Sequence, residues 1–286
     1  MINKKKTILI FGISSSVGEY FYSLFKNKYN IIGTYFHNTG NIRINKKKFF
    51  KINLLKEINL NKKVSHVIHC AHIRPEKSKN KKQIFVNNIK ITKNIMQFCI
   101  KKQIKKYVFL SSISVYKKNK GNLITETSEK NPYDIYGKSK LISENIARKL
   151  CSENNISFFI LRLSSLISKK TESNIYSNLI KKMKKDEKIE IFNPQSKFNN
   201  LIHTEYVCKI IFEYIEKIKK SYLLNISSIN QISLIKILCK IKRKFKYKKK
   251  LNIIKNNKKN NIIINCKKAL KAGFKLPTVE QSINLL

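Results

Sequence analysis

The segment that most constrains the fold lies at the start of the chain, where an apolar run meets a turn that contains two glycines. Residues 7–11 are mainly apolar and branched, which predicts a buried strand. Gly12 and Gly18 then enclose a turn of small residues, and residues 19–25 have apolar side chains at helical spacing. Glycines allow a pyrophosphate to approach the backbone closely, and the N-terminus of a helix attracts its negative charge. The order predicts a dinucleotide-binding unit, with an ordinary strand–helix turn as the alternative.

A second pattern places a tyrosine and a lysine on one helix face. Tyr136 and Lys140 are four residues apart, so on a helix they lie one above the other. A positive charge beside a phenol favours the phenolate, which suits the phenol for acid–base chemistry. Ser111 and Ser112 end an apolar run upstream, where a hydroxyl can hold a substrate oxygen. The pattern indicates proton transfer to or from a carbinol during hydride transfer. An exposed face of a lysine-rich helix is the alternative.

Further segments follow one another in the order in which a known family has them. They are residues 67–72 (VIHCAH), 88–94 (NIKITKN), 107–116 (YVFLSSISVY), 132–140 (PYDIYGKSK), 159–162 (FILR) and 201–205 (LIHTE). Together with the glycine turn they resemble the extended short-chain dehydrogenases/reductases, specifically the NAD-dependent epimerase/dehydratase group. The resemblance covers nearly the whole chain, and such an ordered series is specific.

The resemblance implies a Rossmann-type α/β fold, a doubly wound parallel sheet with a smaller C-terminal substrate-binding lobe. Alternating strand and helix patterns independently favour an α/β fold, and 286 residues suffice for one catalytic domain and a smaller lobe. We expect residues 1–165 to form the NAD(P)-binding domain and residues 166–286 the substrate-binding lobe. A segment at about 203–227 is expected to return to the sheet.

The resemblance also implies the roles of individual residues. Ser112 would polarise the substrate oxygen, Tyr136 would be the general acid/base, and Lys140 would tune Tyr136 while binding the nicotinamide ribose. The predicted NAD(P)-binding residues are Gly12, Ser14, Ser15, Ser16, Val17, Gly18, His37, Asn53, Ala71, Asn88, Tyr136 and Lys140. Arg162 is expected to be a buried ion partner rather than a substrate ligand, and Asn88 is expected to brace the strand ends rather than to take part in the chemistry.

The reaction class follows from what stands after Ser112. Family dehydratases carry an acidic pair at that place, and this chain has Ile113 and Ser114, which argues against dehydration. The resemblance then implies an enzyme of nucleotide-sugar metabolism, either an epimerase or a keto-sugar reductase. The sugar and its nucleotide stay open.

Departures from the family pattern leave the cofactor open between NAD and NADP. Ser15 and Ile91 replace family glycines. Residues 31–38 lack both the acidic residue expected for an NAD ribose and the arginine expected for a 2′-phosphate, although His37 or residues 46–48 could serve. These residues slightly favour NADP over NAD. Asn199 replaces an arginine that in many relatives meets the substrate pyrophosphate, and Lys197 could compensate. A non-catalytic NAD(P)-binding protein of the same fold is therefore the alternative.

The net charge of +45 raises the question of a nucleic-acid partner. Only five of the 61 basic residues are arginine, the residue that forks onto phosphates and stacks on bases. Abundant Lys, Asn and Ile together are typical of an AT-rich coding sequence. The composition thus favours drift over nucleic-acid binding, and an RNA-associated protein of this fold is kept only as an alternative.

The remaining sequence features predict a cytoplasmic protein without a metal site. Six scattered cysteines without a Cys-x-x-Cys pattern are expected to be small, reduced core residues. His69 and His72 are expected to pack and to form hydrogen bonds rather than to bind metal. The apolar run near the N-terminus is too short for a signal peptide or a membrane span. A homodimer is expected by resemblance only.

Overall fold

A computed structural model describes residues 5–37, 39–40, 47–73, 80–117, 123–169, 174–254 and 261–286. The chain forms two compact units. The first comprises Met1–Lys118, Glu129–Arg162 and Ile211–Leu223, and the second comprises Asn119–Ser128, Leu163–Ile210 and Leu224–Leu286. Position 46, one of the predicted 2′-phosphate candidates, lies outside the described residues. The assignment of cofactor binding to one unit and of substrate binding to the other stays a prediction.

The strands and helices alternate for most of the chain. In chain order the strands are β1 (Thr7–Phe11), β2 (Asn30–Tyr35), β3 (Phe49–Lys51), β4 (His66–His69), β5 (Lys106–Ser112), β6 (Leu123–Ile124), β7 (Ser157–Leu163), β8 (Ser165–Ile167), β9 (Ile189–Phe192), β10 (Lys197–Phe198), β11 (Leu201–His203), β12 (Tyr222–Ile226), β13 (Ile232–Ser233), β14 (Leu251–Ile254) and β15 (Ile263–Ile264). The helices are α1 (Ser16–Phe25), α2 (Lys81–Lys101), α3 (Ile135–Glu153), α4 (Ile175–Lys184), α5 (Thr204–Lys217), α6 (Leu234–Lys244), α7 (Lys267–Lys271) and α8 (Val279–Asn284), and a 3-10 turn covers Ile113–Val115.

A seven-stranded sheet has the strand order β12-β7-β5-β4-β1-β2-β3, and most of its residues belong to the first unit. Strand β1 pairs in parallel with β2 and β4, β2 with β3, and β4 with β5. The sheet order changes direction beside β1, and a ligand crevice forms at such a point in doubly wound folds. These features confirm the predicted α/β fold with a parallel Rossmann-type sheet.

The core of the first unit explains why its strands are nearly continuous apolar runs. Residues 8–11 of β1 are completely buried, as expected for a strand covered on both faces. Helix α2 contributes Ile95 and Met96, and helix α3 contributes Ala147 and Cys151 to the same apolar cluster. All four of these residues are completely buried. Covering both faces of the sheet leaves the ends of its strands as the places where a ligand can approach it.

Short strand pairs and helices form the second unit. Pairs β8–β11, β9–β14 and β6–β15 are parallel, and β10–β13 is antiparallel. Residues from α4, α6 and α8 pack with these strands in a separate apolar cluster that includes Tyr176, Ile237 and Val279. Within the segment at 203–227, β12 is a strand of the seven-stranded sheet.

Candidate active site

The glycine turn between β1 and α1 lies close against the end of β4. Gly12 has a φ of +81°, and a Cβ on it would come within 2.8 Å of the Ala71 amide nitrogen. A Cβ on Gly18 would lie 2.6 Å from the Ile13 carbonyl oxygen. Both positions therefore require glycine, one for its backbone conformation and both for close packing. Two predicted cofactor residues, Gly12 and Ala71, are brought together here.

Ser15, which replaces the family's middle glycine, is the N-cap of helix α1. Its side chain accepts a hydrogen bond from the Gly18 amide at 3.1 Å. Ser14 precedes this cap, and Ser16 and Val17 begin the helix. The hydroxyl thus occupies a backbone donor that a helix N-terminus otherwise offers to an anion. Serine in place of glycine at this position therefore gives helix α1 a side-chain N-cap.

The other predicted cofactor residues differ in how their polar groups are used. The Asn53 side chain accepts a hydrogen bond from the Leu55 amide at 3.0 Å, which closes a local turn after β3. Exposed His37 has its ring against Phe36, with ring centroids 4.2 Å apart. Asn88 is buried and bonds both backbone groups of Ile73, accepting at 2.8 Å and donating at 3.0 Å. Asn88 therefore fastens the chain that follows β4.

Tyr136 lies in the first turn of α3, and its helix starts exceptionally close to β5. The Asp134 side chain caps α3 by accepting the Gly137 amide at 2.6 Å. A Cβ on Gly137 would collide with the Ser114 carbonyl oxygen, so only glycine permits this approach. The buried Ser112 ends β5, and its Oγ lies 3.1 Å from both the Ser114 amide and the Ser114 Oγ. Tyr136 is half-buried.

Lys140 is buried one turn further along α3. Its Nζ donates to the Leu110 carbonyl oxygen at 2.7 Å and lies 5.9 Å from the centroid of the Tyr136 ring. Burial lowers the pKa of Lys140 to about 8, although Cys70 and Glu144 act in the opposite direction. The predicted juxtaposition of Tyr136 and Lys140 is present, with the ammonium anchored to a strand carbonyl.

One group beside Tyr136 was not assigned to the site from the sequence. The His72 ring meets the Tyr136 ring edge-on, with centroids 4.8 Å apart and an interplanar angle of 79°. The available signal lay in residues 67–72, which the family writes as V-I-H-x-A-A. This chain has His72 in place of the last alanine. Gly137 was also missed as a contact point, although glycine is scarce in the chain, with seven residues.

A buried ionic network lies one helical turn beyond Lys140. Arg162 of β7 binds Glu144 of α3 through Nε and Nη2, at 2.7–3.2 Å. Its Nη1 donates to the Tyr116 hydroxyl at 2.8 Å, and the Ser111 hydroxyl donates to Glu144. The carboxylate raises the pKa of Arg162 against the effect of burial. The prediction that Arg162 is a buried ion partner is confirmed.

Asn199, which replaces a substrate-binding arginine of many relatives, is used inside the second unit. Its Nδ2 donates to the Ser228 and Ile264 carbonyl oxygens, and its Oδ1 accepts the Ile264 amide, all at 2.8 Å. The side chain is buried, and its bonds fasten the segment that contains β15. Asn199 thus has a structural function. Asparagine in place of arginine at this position removes a positive charge and also supplies hydrogen bonds that hold the backbone.

The first unit fits a dinucleotide at its glycine turn. Gly12 approaches the end of β4, and α1 offers its N-terminus at the same place. Ala71 contacts that turn while the next residue, His72, contacts Tyr136. A pyrophosphate at the turn would thereby have its nicotinamide end near the tyrosine helix. Among the described residues, no cluster of His, Cys, Asp or Glu could hold a metal ion.

Comparison with known proteins identifies the family. The sequence model of the NAD dependent epimerase/dehydratase family matches residues 8–227. The chain belongs to this family. Membership confirms the resemblance, the enzyme class and the nicotinamide-dinucleotide class of cofactor that the sequence predicted.

Individual relatives are distant in sequence and close in fold. The ADP-L-glycero-D-manno-heptose-6-epimerase of Brachyspira hyodysenteriae is 24% identical over 208 residues, 70% of this chain and 65% of the relative. The chain spans less than two thirds of the length of the curated relatives it matches. Two solved structures are a Methanobrevibacter ruminantium UDP-N-acetylglucosamine 4-epimerase (TM-score 0.83, 14% identity) and a Bacillus cereus UDP-glucuronic acid 4-epimerase with NAD (0.79, 19%). They cover 99% and 98% of this chain, and 98% of each matched chain is covered.

None of the helices in the described parts of the chain is long and apolar enough to cross a bilayer.

Proposed function

We propose that the chain is an NAD(P)-dependent nucleotide-sugar epimerase or keto-sugar reductase in which Tyr136 transfers the proton that accompanies hydride transfer. One observation carries the proposal: neighbouring residues at the end of β4 contact the two halves of the site. Ala71 lies against Gly12 of the dinucleotide turn, and His72 lies against Tyr136. A dinucleotide bound at the turn would therefore reach the acid–base group.

Each proposed catalytic group is placed for a defined task. Tyr136 is half-buried in the first turn of α3, where its hydroxyl can exchange a proton with a substrate oxygen. Ser112, at the end of β5, would donate a hydrogen bond to that oxygen and polarise it. The buried Lys140 ammonium places positive charge 5.9 Å from the Tyr136 ring centroid, which stabilises the phenolate formed when the proton leaves.

The cofactor would be held mainly by the glycine turn and by α3. When bound, a nicotinamide ring supplies a hydride acceptor and donor for the substrate carbon. The turn from Gly12 to Gly18 would face the pyrophosphate, and Lys140 would face the nicotinamide ribose. The two predicted outcomes share this machinery. An epimerase returns the hydride to the other face of the same sugar, and a reductase releases a reduced sugar.

The relatives support a nucleotide sugar as the substrate and favour the epimerase. Those described above carry names of epimerases that act on an ADP-linked heptose and on UDP-linked sugars. The alternative that the sequence left open, a non-catalytic or RNA-associated protein of this fold, is disfavoured by membership in an enzyme family. The choice between NAD and NADP, the homodimer and the cytoplasmic location stay predictions.

Replacement of the tyrosine tests the proposal directly. We expect Tyr136→Phe to lower turnover by about 10²- to 10⁴-fold, because the proton donor is lost, while binding of the dinucleotide changes little. Tyr133→Phe is the matched control, since Tyr133 is 69% exposed and three residues earlier. Binding is measured by nicotinamide fluorescence with NAD(H) and NADP(H). Turnover is measured with UDP-, GDP-, ADP- and dTDP-sugars and their 4-keto forms.

The same measurements separate the alternatives. Net oxidation of added reduced cofactor by a keto-sugar would identify a reductase, and isomerisation with retained cofactor would identify an epimerase. Wild-type turnover by Tyr136→Phe would overturn the tyrosine assignment. Failure of the wild type to bind either dinucleotide would overturn the proposed function as a whole.

A further inference from the structure

The segment that carries His72 is fastened on both sides. Before it, the His69 ring contacts the Tyr107 hydroxyl at 2.6 Å and the Ala71 carbonyl oxygen at 3.0 Å. After it, the Asn88 amide binds both the N–H and the C=O of Ile73. The backbone at residue 72 is therefore held between two fixed points. The His72 ring therefore projects from a fixed backbone position beside Tyr136.

That neighbour is the proposed acid–base group. The His72 and Tyr136 rings meet edge-on at 4.8 Å between centroids, which lies within the range that aromatic pairs favour. Tyr136 is only half-buried and lies in the first turn of its helix, so its ring lacks the enclosure of a core side chain. The histidine supplies a fixed lateral contact for a side chain that must keep one orientation.

From these contacts we propose that His72 is a positioning residue for Tyr136, whose ring holds the phenol in the orientation needed for proton transfer. The inference rests on the proposed function, in which Tyr136 carries the proton. It assigns the effect to the ring and not to a hydrogen bond from the imidazole. Catalysis depends steeply on such orientation, because a small misplacement of a reacting group slows the step.

Three replacements of His72 separate the ring from its nitrogens. His72→Phe keeps an aromatic ring, His72→Asn keeps a hydrogen-bonding group without the ring, and His72→Ala removes both. We expect His72→Ala and His72→Asn to lower kcat by about 3- to 10-fold, the range of a single aromatic pair, with KM for the sugar nearly unchanged. His72→Phe is expected to retain kcat within about twofold. Tyr133→Ala, the loss of an exposed aromatic ring three residues before Tyr136, is the control.

Dinucleotide affinity and thermal unfolding are measured on the same variants, so that a change in kcat can be compared with any change in cofactor binding or stability. An equal loss in His72→Phe and His72→Ala, with activity kept in His72→Asn, would overturn the proposal in favour of a hydrogen bond to the substrate. Unchanged kcat in His72→Ala would overturn it outright. Tyr136→Phe is assayed in parallel. If that variant is inactive while His72→Ala is fully active, this inference fails alone. If Tyr136→Phe is active, the proposed function has failed first.

Discussion

Two polar clusters lie on the same pair of elements, and they use their side chains in opposite ways. At the start of α3, Tyr136 and Lys140 accompany Ser112 at the end of β5. One turn further, Glu144 binds Ser111 and the completely buried Arg162. Ser111 and Ser112, which are adjacent in β5, thus belong to different clusters, and so do the successive turns of α3 that carry Lys140 and Glu144.

The two clusters differ in how many of their polar atoms already have hydrogen-bond partners within the protein. In the Arg162–Glu144 network both carboxylate oxygens and all three guanidinium nitrogens have partners within the first unit. In the tyrosine cluster the phenol is half-buried, and Lys140 is charged below a depressed pKa of about 8. A saturated network holds structure together, whereas a buried charge whose main anchor is one carbonyl costs stability and offers chemistry.

Breaking the saturated network should have the largest effect. We expect Arg162→Met to lower the free energy of unfolding by about 3–5 kcal/mol, because it leaves the Glu144 carboxylate buried without its cation. Denaturant unfolding followed by circular dichroism measures the loss. The double variant Arg162→Met/Glu144→Met should recover part of it, since no buried charge remains. A single variant as stable as the wild type would contradict the structural assignment.

Removing the charge from the other cluster should act in the opposite direction. We expect Lys140→Met to stabilise the fold by about 1–3 kcal/mol at pH 7, because burial disfavours the ammonium, while turnover is lost. The pKa is about 8 in the folded chain and 10.5 in its ordinary state, so the unfolded chain binds the extra proton between these values. Wild-type stability therefore rises with pH over that window, and the advantage of Lys140→Met shrinks.

Denaturant unfolding of the wild type and Lys140→Met at pH 7 and pH 9.5 checks this expectation. Lys138→Met is the control, because Lys138 is exposed on the same helix. A destabilised Lys140→Met would show that the bond to the Leu110 carbonyl oxygen outweighs the cost of burying the charge.

The buried His69 belongs with the saturated groups and should make the fold sensitive to acid. Burial and the positive charge of Lys140 lower the pKa of His69 to about 3, although the bond to the Ala71 carbonyl oxygen raises it. The folded chain thus keeps His69 neutral while the unfolded chain protonates it below pH 6.5. Stability is present above that pH and falls as pH decreases, by about 1.4 kcal/mol at pH 5.5 from this residue.

Unfolding of the wild type and His69→Gln at pH 7.5 and pH 5.5 measures this contribution. The glutamine variant should lose about 1.4 kcal/mol less between the two pH values. His66 is buried and has a pKa lowered to about 4, so it contributes a similar loss to both proteins and cancels in the comparison. Identical acid losses in the two proteins would contradict the assignment to His69.

The smallest expected effect concerns the helix cap at the glycine turn. Ser15→Gly should cost a few tenths of a kcal/mol, since glycine is an acceptable N-cap. It also frees the Gly18 amide, so we expect dinucleotide affinity to rise about two- to fivefold from one added backbone donor. Nicotinamide fluorescence titration checks the change, with Ser23→Gly on the same helix as control. Weaker binding by Ser15→Gly would show that the hydroxyl itself contacts the cofactor.

The sequence by itself predicted the strand–turn–helix unit at the start of the chain and named the residues of the candidate site. The strand–turn–helix order, the glycines at 12 and 18, and the spacing of Tyr136 and Lys140 are local patterns, and local patterns are set by backbone sterics and helical periodicity. The assignment of Arg162 to a buried ion pair also held, since an arginine inside an apolar strand needs a partner.

Tertiary structure alone decided which polar groups are used up. Asn199 saturates a backbone segment that is 65 residues away in the sequence, and the cap at Ser15 uses a donor that the turn pattern left open. The meeting of His72 with Tyr136 joins residues 64 positions apart. Hydrogen bonds and ring contacts of this kind depend on distances between elements, which residue spacing within one element does not specify.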